Sequence, residues 1–537
     1  MRIQITRSLF RATLFKAALA LTLLSACVAS ATAQKHASYE NPAIAGDYPD
    51  PSIIRVGADY WATATSSDWA PEFPILHSRD LVNWEITGAV FEKRPDWSNG
   101  NYWAPEISEY RGRYFVYYVG HKKQDGPLCV AVATATRPNG PYTDHGPIIC
   151  QDDGSIDPAP VTDERGERYL VWKEDGNSRN QPTPIWAQKL SSDGTKISGE
   201  RKELIRNDAS WEAQLVEAPF ILRRNGWFYM FYSGNACCGR ECNYALGVAR
   251  SRKLLGPWEK NPGNPILRGN ETWKCPGHGS IVSDQNGRDF LLYHAYHARD
   301  TVYVGREALL DEVSWGKGGW PNINGGHGPT GRSVSPLGAR ERNAEYSFVD
   351  EFNGPKLMPG WQWPQSSEPV TRIDSSNGGW LLLSSKTTAR TGDMLAAIVA
   401  RSTTVGNYSA TTVVNVSGMK DGQFAGLCAF GDLENALGVA VGSGKVVSFK
   451  REKTVDTIVG EMDAPASKSI WLRLTAKEGH RFRFAMSTDG RAWKTIGEEM
   501  EGQYLPPWDR GVRVALTGGG AAGGIARFGS LSITPSR

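Results

Sequence analysis

No stretch of the 537-residue chain is apolar for long enough to cross a membrane as a helix. The apolar run from Ala17 to Leu24 falls far short of the roughly 20 residues that a spanning helix needs. A strong charge of one sign is missing too: 60 Lys and Arg stand against 57 Asp and Glu, a formal net charge of +3. Arg2, Arg7, Arg11 and Lys16 all lie at or before that apolar run, so the chain beyond them carries about −1, which argues against a nucleic-acid partner. No helical periodicity is sustained enough to compete with the strand patterns, so the fold is expected to be all-β. The eight cysteines follow no common zinc-ligand spacing and include the adjacent pair Cys237 and Cys238, so disulfides are the better reading.

The N-terminus has a basic start, a short apolar run and then small residues, the layout of a secretory signal peptide over residues 1–33. Cleavage is expected after Ala31-Thr32-Ala33. Leu24-Ser25-Ala26-Cys27 also reads as a lipobox, which would place a lipid anchor on Cys27 and make the product an outer-membrane lipoprotein. The expectation is a free exported protein, periplasmic or extracellular, where disulfides persist. Cys129 and Cys150 could tie neighbouring strands, Cys237, Cys238, Cys242 and Cys275 form a local group, and Cys428 is left as the odd thiol.

What is present is a repeat. An aromatic, alternating segment preceded by a turn glycine returns roughly every 55 to 60 residues. The segments begin at Tyr60, Tyr114, Tyr169, Trp227 and Phe290, and the glycines are Gly57, Gly112, Gly166, Gly226 and Gly287, each placed to turn a hairpin. Upstream of each glycine stands a short motif: Asp50-Pro51-Ser52, Ala104-Pro105-Glu106, Asp157-Pro158-Ala159, Glu217-Ala218-Pro219 and Gly277-His278-Gly279. Five such antiparallel units predict a five-bladed β-propeller over residues 40–320. The first strand of each blade runs beside the axis, so Asp50, Asp157, Glu217 and His278 are expected to meet at one end of the channel.

An aspartate before proline is often only a turn residue, but recurrence at one blade position favours a shared purpose. Carboxylates gathered at an enclosed site raise one another's pKa, as does desolvation. One then stays protonated near neutral pH while another is ionised, the division of labour that glycoside hydrolysis requires.

The ordered motifs Tyr48-Pro49-Asp50-Pro51-Ser52, Tyr102-Trp103-Ala104-Pro105-Glu106, Ser155-Ile156-Asp157-Pro158-Ala159, Glu217-Ala218-Pro219-Phe220 and Gly277-His278-Gly279-Ser280 resemble glycoside hydrolase family 43. The resemblance spans about Asp47 to Pro321. It implies that Asp50 is the general base activating a water, Glu217 the general acid, and Asp157 a third carboxylate that raises the pKa of Glu217 and orients it, with inversion at the sugar. It also implies that His278 holds a calcium ion at the channel centre, often through waters, and that Arg306 binds the substrate. Trp103 is a candidate stacking wall for the sugar. The Asn-Asp-Pro-Asn-Gly motif of the retaining invertase-like propellers is absent.

Residues 321–345 are rich in glycine, proline, serine and asparagine and read as a linker. Over residues 346–537 short alternating strands predict an antiparallel sandwich. Phe348-Val349-Asp350-Glu351-Phe352 with Trp361-Gln362-Trp363, and Ser487 to Trp493, resemble the concanavalin-like jelly roll appended to some members of that family. Such a domain binds polysaccharide or lends a loop to the pocket rim. The expected activity is exo-release of pentose, α-L-arabinofuranose or β-D-xylose, from plant cell-wall glycans. The alternatives are an exo-galactosidase acting on galactan and a sugar-binding propeller without catalysis.

Overall fold

The computed structural model describes residues 38–339, 346–375, 378–386, 392–521 and 523–536. The signal peptide expected over residues 1–33, Cys27 within it, and residues 340–345 of the linker lie outside the described residues.

Five antiparallel four-stranded sheets follow one another along the chain, and within each the strands pair in sequence order. Blade one holds Ser52–Val56, Asp59–Thr63, Glu72–Ser78 and Trp84–Phe91. Blade two holds Trp103–Tyr110, Arg113–His121, Leu128–Ala135 and Thr143–Cys150. Blade three runs through Ser155–Thr162, Arg168–Glu174, Ile185–Leu190 and Ile197–Ile205, and blade four through Val216–Arg224, Trp227–Gly234, Ala245–Ser251 and Glu259–Lys260. Blade five comprises Trp273–Ser283, Asp289–His297, Glu307–Trp315 and Pro321–Ile323.

The second strand of blades two to five is buried almost throughout, because each is covered on both faces by neighbouring blades. That explains why these strands read as near-continuous aromatic and aliphatic runs rather than strict alternation. The hairpin glycines have φ of 65° to 87°. A Cβ at Gly57, Gly112, Gly166 or Gly287 would meet nothing within 4 Å, so glycine is required there by backbone conformation and not by space.

Closure of the ring uses the two ends of the propeller chain. Ser38–Glu40 pairs antiparallel with Arg332–Val334. The Asn41 side chain donates to Leu310 O and Thr330 O, both at 3.0 Å, and Ile44 bridges to Ala308. The stretch beginning at residue 321, expected as a linker, therefore contains the outermost strand of blade five and the closing strand. Both are three residues long, too short for any periodicity to show in sequence.

The C-terminal part is a two-sheet sandwich. One sheet has six strands, from Ala397–Ser402 through Arg513–Gly519, Phe424–Phe430, Ala436–Gly442 and Lys445–Glu452 to Val455–Asp463. The other has nine, centred on Ala526–Pro535, Tyr408–Asn415 and Ser469–Lys477. Tyr408–Asn415 alternates buried with half-buried side chains, as a strand with one face on a core must. Leu383, Val399, Leu427, Val439, Leu472, Phe484, Leu516 and Phe528 belong to that core.

The sandwich is docked on the propeller by specific contacts. Trp363–Pro364 pairs with Trp69–Ala70 of blade one, and Trp69 is buried among sandwich residues such as Ile398 and Phe430. The buried Asp47 carboxylate accepts from Arg513 Nη1 and Gly511 N, both at 2.9 Å, and from Arg306 N at 3.1 Å. One carboxylate thus joins the sandwich to the loop that carries a predicted substrate-binding arginine.

Candidate active site

At or beside each innermost strand a non-glycine residue at the recurring motif has a left-handed φ: Asp50 at 53°, Ala104 at 45°, Asp157 at 55°, Ala218 at 57° and His278 at 43°. In blades two to five the pairing register shifts at this point, so each residue sits in a bulge that turns the chain towards the channel. Strained backbone of this kind persists only where the surroundings hold it. Here the neighbouring blade does so. Ala104 N donates to Thr65 Oγ1, Ala218 N to Asp157 Oδ2, His278 N to Ser233 Oγ and Asp50 N to His294 Nδ1, at 2.7 to 3.0 Å.

Asp50, Asp157 and His278 therefore occupy equivalent blade positions, but Glu217 does not. It stands one residue earlier, and Ala218 holds the equivalent place. Glu217 is nonetheless brought to the same site, because its successor's N–H is the one that Asp157 accepts at 2.8 Å. That bond gives Asp157 a direct hold on the backbone that aims Glu217.

All six residues singled out from sequence, Asp50, Asp157, Glu217, His278, Trp103 and Arg306, line one cavity of about 320 Å³. Trp508 and Asp509 from the sandwich complete it. Trp508 meets Trp103 edge to face with ring centroids 5.7 Å apart, so the expected stacking wall is part of a two-tryptophan corner shared between domains. A larger cavity of about 420 Å³ lies at the domain junction, but its lining holds a single carboxylate, Glu92, and no convergent acids.

Asp50 is surrounded by donors. Arg306 Nη1 donates to Oδ1 at 2.9 Å and Thr65 Oγ1 to Oδ2 at 2.6 Å, while His278 Nδ1 lies 3.3 Å from Oδ1. Burial pushes the Asp50 carboxyl up, but Arg306 and then His278 outweigh it and hold the pKa well below the usual range. Burial lowers the His294 imidazole to about 4, so it is neutral and its Nδ1 is free to accept the Asp50 N–H. Arg306 is fixed in turn by Nη2 donating to Asp509 O at 3.1 Å.

Glu217 is gripped from two sides. Lys173 Nζ donates to Oε2 at 2.7 Å and Tyr244 Oη to Oε1 at 2.8 Å. Lys173 is itself buried and also reaches Asp175 at 2.8 Å. Burial raises the Glu217 pKa, but Lys173 and then Tyr244 more than offset it, so the net shift is downward. Asp157 moves the other way, to about 7, chiefly through burial and with Glu217 adding to the rise against His278 and Lys173. In the free protein the like charge of Asp157 still pushes Glu217 up, but the net shift of Glu217 is thus downward. The cause is Lys173, which sequence reasoning missed because a lysine near the end of the strand Arg168–Glu174 reads as a solvent-facing residue. Tyr244, His294 and Thr65 were missed for a similar reason: each is an ordinary strand or loop residue until a neighbouring blade is placed against it.

Calcium asks for several oxygen ligands. Among the described residues no group of three or more His, Cys, Asp or Glu side chains forms a metal cage. The residues at the channel mouth thus fit at most an ion held in a shell of water beside His278.

Comparison with known proteins agrees with this geometry. Residues 39–321 match the model of glycosyl hydrolases family 43. The chain belongs to that family. Residues 349–515 match the beta xylosidase C-terminal concanavalin A-like domain. The xylosidase/arabinosidase 43B of Humicola insolens is 28% identical over 499 residues, covering 87% of this chain and 90% of that protein. The extracellular exo-alpha-(1->5)-L-arabinofuranosidase ArbA of Cellvibrio japonicus is 28% identical and covers 52% of this chain and 86% of its own length. Among solved structures, the GH43 BlXynB protein of Bacillus licheniformis superposes with a TM-score of 0.80 at 24% identity, covering 93% of this chain and all of that one. The family 43 chain described here is therefore a glycosidase with a five-bladed propeller and a concanavalin-like sandwich.

Three disulfides are formed among the described residues. Cys129–Cys150 joins directly paired residues of blade two, as the sequence suggested. Cys242–Cys275 links blade four to the inner strand of blade five, and Cys237–Cys238 joins adjacent residues. Cys428 is free and buried in the sandwich.

Proposed function

We propose that the protein is an exported, inverting exo-glycosidase that releases α-L-arabinofuranose or β-D-xylose from plant cell-wall polysaccharide or oligosaccharides. The observation that carries the reading is one small cavity holding an ionised carboxylate, Asp50, and a carboxyl pair, Asp157 and Glu217, that retains a proton towards neutral pH. The names of the relatives from Humicola insolens and Cellvibrio japonicus support pentose as the sugar.

In this mechanism Asp50, ionised and anchored by Arg306 and Thr65, takes a proton from water as the water attacks the anomeric carbon. Glu217 gives a proton to the departing glycosidic oxygen. Asp157 positions Glu217 through the Ala218 N–H and shares the dyad's proton, and Arg306 orients the sugar beside Asp50. The proton must lie on Glu217 at the moment of bond cleavage, although Lys173 favours its ionised form in the free protein. A sugar oxygen seated beside Glu217 and excluding water shifts that balance.

The pH dependence follows from these groups. The dyad loses its proton as pH rises through the Asp157 value of about 7, so kcat/KM should fall on an alkaline limb centred there. Asp50 is protonated only well below the usual carboxylate range, so no acid limb is expected in the mildly acidic region. A pH profile with an acid limb at pH 5 to 6 would contradict the assignment of Asp50 as the base.

A water-shelled calcium ion beside His278 forms part of the proposal, and no chemical step runs through it. Export is supported by three disulfides, which persist in oxidising compartments. A free mature protein is proposed over a Cys27-anchored one. One experiment tests sugar, ion and location together. Aryl α-L-arabinofuranoside, β-D-xyloside and β-D-galactoside are assayed in culture supernatant, periplasm and membrane fractions, with and without prior calcium removal. Release from a pentoside, in a soluble exported fraction and reduced by chelation, is expected. Release only from the galactoside, or none from any substrate, would overturn the pentose reading.

A further inference from the structure

The loop between the second and third strands of blade four carries a covalent feature that the mechanism does not use. Cys237 and Cys238 are bonded to each other, so the disulfide closes a small ring through a single peptide bond. Both residues are half-buried, and both line the cavity that holds Asp50, Asp157, Glu217 and Arg306. A disulfide stabilises a fold mainly by closing a loop in the unfolded chain, and one between adjacent residues closes essentially none.

The loop is anchored by other means. Cys242–Cys275 ties it to the inner strand of blade five. Gly239 N donates to Tyr296 Oη at 3.3 Å. Arg240 Nη2 donates to Tyr303 Oη and to Gln503 O, both at 2.8 Å, the latter in the sandwich loop that carries Trp508. The vicinal bond is thus not needed to place the loop, and its location on the cavity wall is where its purpose has to be sought.

Cystine sulfurs are apolar and polarisable and behave as hydrophobic surface. Locked in a small ring, they present that surface with no rotamer freedom to lose when a ligand arrives, which lowers the entropic cost of binding. A sugar ring has two kinds of surface, hydroxyls that suit Asp50, Arg306 and their neighbours, and C–H faces that suit an apolar wall. We propose that the Cys237–Cys238 disulfide is a specificity-determining wall of the pocket, packing against the C–H face of the bound pentose ring. The proposal rests on the pentosidase reading above.

Kinetics and chemical labelling test it separately. In the full-length Cys237→Ser/Cys238→Ser variant the wall becomes two mobile polar side chains. KM for the pentoside and Ki for free pentose should rise together by about tenfold while kcat stays within about twofold and the melting temperature is unchanged. Unchanged KM and Ki would overturn the proposal. So would a fall in kcat with a lower melting temperature, which would make the bond a scaffold element, or a rise in KM with Ki unmoved, which would place the wall against the leaving group.

The labelling arm uses wild-type protein and needs no turnover. A water-soluble phosphine reduces the disulfide to two thiols, the phosphine being oxidised to its oxide with oxygen from water and water supplying the two protons. Iodoacetamide then alkylates the thiols with loss of iodide, and peptide mass spectrometry reads the label on Cys237 and Cys238. Saturating free pentose should protect these two residues and leave labelling of Cys242 and Cys275 unaffected; equal labelling with and without pentose would overturn the proposal. A wild type inactive on every pentoside would defeat the pentosidase reading instead, while protection from labelling would still be measurable.

Discussion

With Asp50→Asn, kcat falls by about a thousandfold to ten-thousandfold while free pentose binds within a few-fold of wild type, as expected when a general base is removed from a site that keeps its shape. Asparagine retains an oxygen able to accept from Arg306 or Thr65, which lie 2.9 and 2.6 Å from the two carboxylate oxygens. What it loses is the capacity to take a proton and the negative charge opposite Arg306. Steady-state kinetics on the aryl pentoside, paired with calorimetric titration of free pentose, check both halves. Turnover within tenfold of wild type would remove Asp50 from the role of base. Loss of binding in proportion to turnover would make it a sugar-holding residue instead.

The second large effect is expected at a residue that belongs to none of the sequence motifs. Lys173→Met should destabilise the protein by about 3 to 5 kcal/mol, because it leaves the buried Glu217 carboxylate without its cation. Lys173 has a side-chain exposure of 1% and Glu217 of 10%, so solvent does little to relieve the loss. Denaturant unfolding measures it. The same variant should move the alkaline limb of the pH profile upward, since removing a cation from beside Glu217 and Asp157 makes both easier to protonate. A downward shift or an unmoved limb would show that the dyad does not govern that limb.

These two residues also mark how far the sequence could be read. Asp50 was legible because it precedes a proline at a point that recurs in other blades, and the recurring glycines fixed the spacing against which it could be aligned. Glu217 was found by the same alignment although it stands one residue out of place, since Glu217-Ala218-Pro219 and Asp157-Pro158-Ala159 were compared as tripeptides. Lys173 was not legible. Its strand is covered on both faces, a condition set by blades whose sequences lie dozens of residues away, and a strand read alone does not reveal which of its charged residues will be enclosed.

The same limit hid the inter-domain part of the pocket. Trp508 lies in a loop with no periodicity, and only docking of the sandwich brings it to Trp103. The closing strand Arg332–Val334 was absorbed into the linker for want of length. Long-range pairing, more than local propensity, decided each of these.

Asp47 and Arg513 are separated by 466 positions along the chain, yet they meet at the loop that aims Arg306. During synthesis the propeller ring has both of its closing strands once residue 334 has emerged, but the pocket still lacks Trp508, Asp509 and the partners of Asp47. A chain interrupted between those points would own every proposed catalytic acid and an arginine held by Asp50 but not yet by Asp509. The complete pocket is in this sense a property of the finished polypeptide, assembled only when nearly its last strand is made.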